Sequence, residues 1–405
     1  VCFAFSGFSI AWLTWGTMLS TILWLPLALL SFEKIHVSSK KNLWRLLFIF
    51  SIVSSFFAGH IQIFVYCMFV FGAYAIWIQR SVKMEKLYLM HVVIPGIILA
   101  ITTPVWLRFV SYLPETSRIS GSAWAVEGFF IPFRHLLQFI APDFFGNPAT
   151  LNYWGTWNYG EMVGYIGVIG LFFAIAGISA KSAFWVGIVG ISLLFAVDSP
   201  VARLPFNFHI PGISSLQPTR LMAIGDFGLS VLAAYGMATL ITGEKKKQIL
   251  VAEIVLLIVF VGAWMSVLMP TSFGIPVEHI AVVKRNLILP SVLFVIAMGI
   301  VGGVVVLRKT WITFRYGVAF VALILLSFEL IRFGWKFTPF TDVAFFFPET
   351  EIISRLTQLP KPFRVIAVDD RLLPPNVLSF YDIESISGYD PVHSLRYEEY
   401  IAAME

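Results

Sequence analysis

The sequence predicts an all-α polytopic membrane protein of about ten transmembrane helices, followed by a small extracytoplasmic α/β module. Three observations carry that fold class. Of 405 residues, 58% are hydrophobic and 13% charged, with a mean hydropathy of +0.84, whereas a soluble domain carries about 25% charge. Long apolar runs recur between short polar breaks, without the roughly ten-residue alternation of a membrane barrel. The basic residues gather in alternate connections. A net charge of +5 therefore needs no nucleic-acid partner, because cations beside membrane spans set their orientation.

The spans follow in order from length. Residues 43 to 79 are nearly continuous apolar sequence, interrupted only by "FFAGHIQIF" (Phe56 to Phe64). As one helix they would reach about 55 Å, against a hydrocarbon core of about 30 Å, so the chain must turn near Gly59 and His60. The same rule places spans near 8–31, 43–59, 61–79, 88–107, 162–180, 183–198, 221–242, 249–268, 287–307 and 316–331. Residues 1–331 form the membrane domain, with long loops at 108–160 and 198–220, and 332–405 form the C-terminal module. In that module "FRVIAVDD" reads as a buried strand through Val365, Ile366 and Val368. "PETEIISRLTQL" reads as an amphipathic helix through Ile352, Leu356 and Leu359, and "SGYDP" as a turn.

One set of connections holds Lys34, Lys40, Lys41, Arg45, Arg80, Lys83, Lys86, Lys181, Lys245 to Lys247, Arg308, Lys309 and Arg315. The other, much longer in total, holds only Arg108, Arg118, Arg134, Arg203, Arg220, Lys284 and Arg285. The positive-inside rule puts the first set in the cytoplasm, with Lys284 and Arg285 dissenting. The "GHIQ" turn, both long loops, the loop 269–286 and the tail then face outward. Function is expected on that side.

Candidate site residues concentrate there. In "FFIPFRHLLQFIAPDFFGNP", Phe130, Phe133, Leu137 and Ile140 form one helical stripe, with Arg134, Gln138 and Asp143 supplying polarity. That pattern suits an interfacial helix, in which Arg134 and His135 could meet a lipid phosphate or simply contact bulk headgroups. "NYWGTWNYGEMVGY" gathers Tyr153, Trp154, Trp157, Tyr159 and Tyr165 around Glu161. Such aromatics suit a sugar face, and equally an aromatic belt at headgroup level. A carboxylate where a span begins is costly unless it faces protein or water, so Glu161 is a candidate catalytic or orienting group. Arg220 stands at the mouth of a span, about one and a half turns from Asp226. It is read either as a clamp for an anionic leaving group or as the partner of Asp226. His60, Gln62 and Asp198 end at the same level, although a lone turn histidine is more often structural.

Both cysteines, Cys2 and Cys67, lie in apolar runs and read as buried hydrophobes. No phosphate loop, dinucleotide fingerprint, nucleophile elbow or metalloprotease motif is present. No cofactor is indicated, and a divalent metal stays open. Cytoplasmic connections are too short for a nucleotide-binding domain, so a donor used outside would be carried on a lipid. A transporter or lipid flippase, with broken spans and mid-membrane ion sites, and a non-catalytic envelope scaffold are the alternatives.

The order "FAFSGF", "LPLALLSFEKI", "FFAGHIQIFVY", "FIAPDFFGNP", "YGEMVGYIGVIGL", "IPGISSLQPTRLM", "RVIAV", "PPNVLSFYDIESISGYDP" and "RYEEY" resembles the YfhO-like bacterial membrane proteins, within the GT-C class of membrane glycosyltransferases. The resemblance runs through short motifs over nearly the whole chain. Ile61 stands where the family usually has the proline of Gly-His-Pro-Gln. It implies inverting sugar transfer in the bacterial cytoplasmic membrane. A polyprenyl-phosphate donor would supply a cell-envelope glycan or teichoic-acid-like acceptor on the outer face, among membrane lipids. It also implies an acidic base in a first outer loop, expected upstream of Val1 along with the first few spans, the natural sequence continuing at both ends.

Overall fold

The computed structural model describes residues 1–79, 93–116, 129–210, 213–214, 216–243, 246–306, 312–338, 340–367, 373–390 and 392–403. Outside them lie Arg80, Lys83, Lys86, Arg118, Lys245, Arg308, Lys309, Val368 and the first residues of the span expected at 88–107. The chain divides into two compact units, Val1–Thr103 with Ala123–Thr338, and Pro104–Ser122 with Pro339–Glu405.

The principal helices of the membrane-type sequence are α1 (Leu25–Val37), α2 (Lys41–Phe57), α3 (Ile61–Gln79), α4 (Ile94–Tyr112), α5 (Val168–Ala176), α6 (Ala183–Ala196), α7 (Met222–Thr242), α8 (Lys246–Leu268), α9 (Ile280–Val306) and α10 (Ile312–Phe337). Among the described residues seven helices are long and apolar enough to cross a membrane, or eight if one bent pair counts as a span. The protein is thus a multi-pass membrane protein, with fewer qualifying spans than the ten expected. The reasons are local. The expected span 8–31 breaks at Gly16, whose φ of 72° suits glycine, leaving Thr17–Val37 as the candidate. Helix α2 has 17 residues, about 26 Å of rise, short of the hydrocarbon thickness. Helix α5 has nine residues and cannot cross alone. It meets the segment Ala180–Ala196 at a bend of 112°.

Helix α5 is apolar all round because it is enclosed. Val168, Ile169, Phe172 and Phe173 are fully buried, and α7, α8, α9 and α10 pack around it. The α5–α7 crossing depends on two glycines. A Cβ at Gly236 would stand 1.9 Å from the Phe173 carbonyl oxygen, and one at Gly177 2.1 Å from that of Leu232.

Hydrogen bonds between loops respect the alternation read from the basic residues. At one end, Gln62 Nε2 donates to the Gln217 carbonyl (2.6 Å), Thr219 Oγ1 to Glu161 (2.7 Å) and Asn286 Nδ2 to the Asp143 carbonyl (2.6 Å). At the other, Arg315 donates to the Thr242 carbonyl (2.8 Å), Gln248 to that of Ile178 (2.6 Å), and Tyr74 to Glu33. The first five join residues at or beside connections of the same set, and the sixth joins α3 to α1.

The second unit corrects two expectations. No strand forms among its described residues. Val365 makes one isolated parallel bridge to Ser385, and Ile366 is exposed. Extended propensity yields no sheet where no neighbouring strand supplies a paired face. Helix α11 (Glu351–Thr357) forms, capped by Thr350, but buries Ile353 rather than Ile352. Ile353 packs with Leu378 and Ile383 in a small core. Helix α12 (Leu395–Ala402) follows, so the described part of this unit is helical rather than α/β.

Candidate functional site

Two polar centres form in the first unit, each built where helices end. The first centres on Glu161. Asn158 starts the single turn Tyr159–Met162 by accepting from the Gly160 amide, and that turn holds Glu161 at 4% exposure. Glu161 Oε2 accepts from Thr219 Oγ1 at 2.7 Å, and Oε1 accepts from Arg220 Nε at 3.3 Å. Burial pushes the Glu161 carboxyl up from the usual carboxylate range, while Arg220 and Thr219 pull it down. The guanidinium also donates through Nη1 to Gln62 Oε1 at 3.3 Å and lies 5.9 Å from the centre of the Trp12 ring. Trp12 in turn donates its indole N–H to the Gly160 carbonyl at 3.0 Å. Arg220 Nη2 has no acceptor among the described residues.

His60 sits 3.5 Å from Arg220 Nη1 through Nε2, while its Nδ1 accepts from the Ile63 amide at 3.2 Å. A neutral imidazole accepts through one nitrogen only. The amide bond at the start of α3 takes that nitrogen, which makes the Arg220 contact one of packing. The "GHIQ" turn thus has a structural role. Gly59, with φ of 94°, makes the turn, His60 serves the start of the next helix, and Gln62 ties it to the loop before α7.

The second centre lies around Asp143. Lys336 Nζ, near the end of α10, meets Asp143 Oδ2 at 2.5 Å. Oδ1 accepts from Asn147 Nδ2 at 2.7 Å and from the Tyr159 hydroxyl at 3.3 Å. A cavity of about 310 Å³ opens beside it, lined by Asp143, Arg285, Asn286, Glu329, Arg332 and Lys336 with an apolar wall that includes Leu289, Leu293 and Phe333. Glu329 accepts from the Tyr165 hydroxyl and from the Val168 amide at 2.7 Å, so it caps α5 from α10.

The remaining sequence-derived candidates are distributed around these centres. The stripe expected as an interfacial α-helix is a 3₁₀ segment, Phe133–Phe139, and Phe133 points out at 78% exposure while Phe130 and Ile140 are buried. Arg134 lies 5.7 Å from the Phe145 ring. His135 is buried, with Nε2 accepting from the Thr156 amide at 3.2 Å and Nδ1 2.7 Å from Gln138 Oε1. Burial lowers its pKa to about 4, with Gln138 opposing and Arg134 adding to the shift. Tyr153 donates to the Thr156 carbonyl at 2.6 Å, and Trp157 is 80% exposed. Asp226 is fully buried in α7, where the Ser6 side chain and the Phe8 amide approach its carboxyl. Arg220 pairs with Glu161, not with Asp226, because the Pro218–Leu221 turn directs it toward the Tyr159–Met162 turn. Asp198 instead binds Arg203 at 2.7 Å on the surface, and this bond lowers its pKa.

Sequence reading missed Trp12, Thr219, Asn286, Glu329, Arg332 and Lys336. Thr219, beside Arg220 in "QPTR", carried a local signal. The others depend on distant partners. Among the described residues no three His, Cys, Asp or Glu side chains gather as a metal-ligand set. No protein-family model, curated protein or solved structure matches the chain, so the geometry of these two centres carries the functional argument.

Proposed function

We propose that the protein is a GT-C-type membrane glycosyltransferase of the bacterial cytoplasmic membrane. It moves a sugar from a polyprenyl-phosphate donor to a cell-envelope glycan or teichoic-acid-like acceptor on the extracytoplasmic face. One observation carries the reading. Gln62, Glu161 and Arg220, from three distant stretches, meet at one end of the helices, and Arg220 Nη2 has no acceptor among the described residues. In the reaction the acceptor oxygen bonds to the anomeric carbon as its proton passes to a carboxylate. The bond from that carbon to the phosphate oxygen breaks, and its electron pair leaves with the lipid phosphate. Arg220 meets the departing charge, while Glu161 holds the guanidinium in place. The resemblance assigns the proton-accepting carboxylate to a first outer loop.

The test is full-length protein in proteoliposomes with a labelled polyprenyl-phosphate sugar and envelope acceptors. Wild type transfers the label, and Arg220→Ala lowers turnover about a hundredfold with little change in acceptor KM. A wild-type protein that neither binds nor consumes the donor overturns the reading. The face is tested by single cysteines at His60, Thr150 and Thr350, which react with an impermeant thiol reagent from outside, while one at Lys246 does not. The native Cys2 and Cys67 are buried and give little background.

Transport is the second reading, favoured by the 112° bend after α5 and by the fully buried carboxyl of Asp226 within a span. Lipid counterflow without transfer, abolished by Asp226→Asn, would select it.

A further inference from the structure

We infer that the cavity beside Asp143 is a binding site for a phosphate-bearing anion, held by the guanidinium groups of Arg285 and Arg332. The argument begins with charge. Three cations, Arg285, Arg332 and Lys336, line the cavity against two carboxylates, Asp143 and Glu329. Both carboxylates are already engaged. Asp143 holds Lys336, Asn147 and Tyr159, and Glu329 holds Tyr165 and the first amides of α5. Arg285 and Arg332 make no hydrogen bond or ion pair with any described residue, and both are exposed.

Position sharpens the point. Both arginines fall within candidate membrane spans, Val277–Gly299 and Thr313–Phe337, where an unpaired guanidinium is expensive unless it faces an anion or water. Two planar forks from different helices present several N–H donors to one space, the arrangement that suits the tetrahedral oxygens of a phosphate better than a single carboxylate. Leu289, Leu293 and Phe333 continue the wall as apolar surface, which would take the first methylenes of a chain esterified to that phosphate. Arg285 is also one of the two residues that dissent from the positive-inside pattern. Ligand recognition explains its place on the sparsely basic side, where orientation does not. The site shares no residue with the Glu161–Arg220 centre, and it stands whether or not sugar transfer is the activity.

The experiment measures lipid retention and anion binding with the full chain. Protein is placed in nanodiscs of phosphatidylcholine with or without phosphatidylglycerol, and retained lipid is read by native mass spectrometry. In parallel, inorganic phosphate is titrated against detergent-solubilised protein. Retention of phosphatidylglycerol over phosphatidylcholine assigns the phosphate to a lipid headgroup. Saturable inorganic phosphate binding in detergent alone assigns it to a soluble ion. In either case Arg285→Gln and Arg332→Gln each weaken binding about tenfold or more, and Arg→Lys at the same positions recovers part of it. Arg203→Gln, on an exposed pair with Asp198, leaves binding unchanged. An unaltered melting temperature without anion shows that the variants fold. Binding that is absent in wild type, or unaffected by the double Arg285→Gln/Arg332→Gln variant, overturns the inference.

Discussion

The Glu161 and Asp143 centres are made of the same materials. Each has a carboxylate held under a loop, a cation from a distant helix end and a tyrosine or threonine hydroxyl. In the first, acid and base are matched one to one, with Gln62 and Trp12 beside the guanidinium and only Arg220 Nη2 left over among the described residues. In the second, the acids are used up by Lys336 and by the start of α5, and two arginines are left facing a cavity. A matched pair fastens two loops together. A surplus of one sign leaves recognition capacity for something that is not protein. The same inventory of residues therefore gives a clasp with one spare donor in one place and a two-arginine receptor in the other.

Removing the acid from the clasp should give the largest effect on stability. Glu161→Ala leaves Arg220, whose side chain is only 19% exposed, without its partner and should cost about 3 kcal/mol. Thermal unfolding in detergent reads this, and Glu161→Gln with Arg220→Met should recover much of the loss. If the double variant is as unstable as Glu161→Ala alone, the two residues do not act as a matched pair.

Acid should loosen the Asp143 region before the clasp. His135 is kept neutral in the folded protein, with its pKa lowered to about 4 from 6.5 chiefly by burial. Between those values the unfolded chain binds the proton and the folded chain does not, so stability rises with pH through that window. As pH falls from about 6.5 to about 4, roughly 2–3 kcal/mol should be lost. Hydrogen exchange of the 133–156 segment should report it, and His135→Gln should flatten the slope.

A smaller effect is expected from Lys336→Ala. Asp143 keeps Asn147 and Tyr159 as donors, and the loss should be about 1–2 kcal/mol, together with a change in anion affinity at the cavity. The smallest belongs to Arg203→Ala. Its pair with Asp198 is solvent-exposed, and melting should shift by less than about 0.5 kcal/mol equivalent.

The membrane class, the turn at Gly59 and His60 and the grouping of span ends were legible because hydropathy, length and charge act locally. The convergence of Gln62, Glu161 and Arg220 was legible through the cost of stranding polar groups in lipid. What escaped depends on partners far along the chain. Glu329 reads as one acid in an apolar run, and its role appears only when α10 meets the start of α5. Arg285 reads as an exception to an orientation rule until Arg332 stands beside the same cavity. The tail misled because "RVIAV" has extended propensity, while a sheet also needs a partner strand that propensity does not supply.

The short helix α5 also constrains how the protein can be assembled. A nine-residue helix is too short to reach both faces of a bilayer, so at least one of its ends needs protein partners in place of water. Its first amide is served by Glu329, 161 residues later. The carbonyls just past its end are served by Ser182 at Gly177 and Gln248 at Ile178. A chain emerging from the ribosome therefore cannot leave α5 in lipid as a finished element. It must stay near water or the insertion machinery until α10 arrives, so a helix with four others packed against it is among the last to be placed.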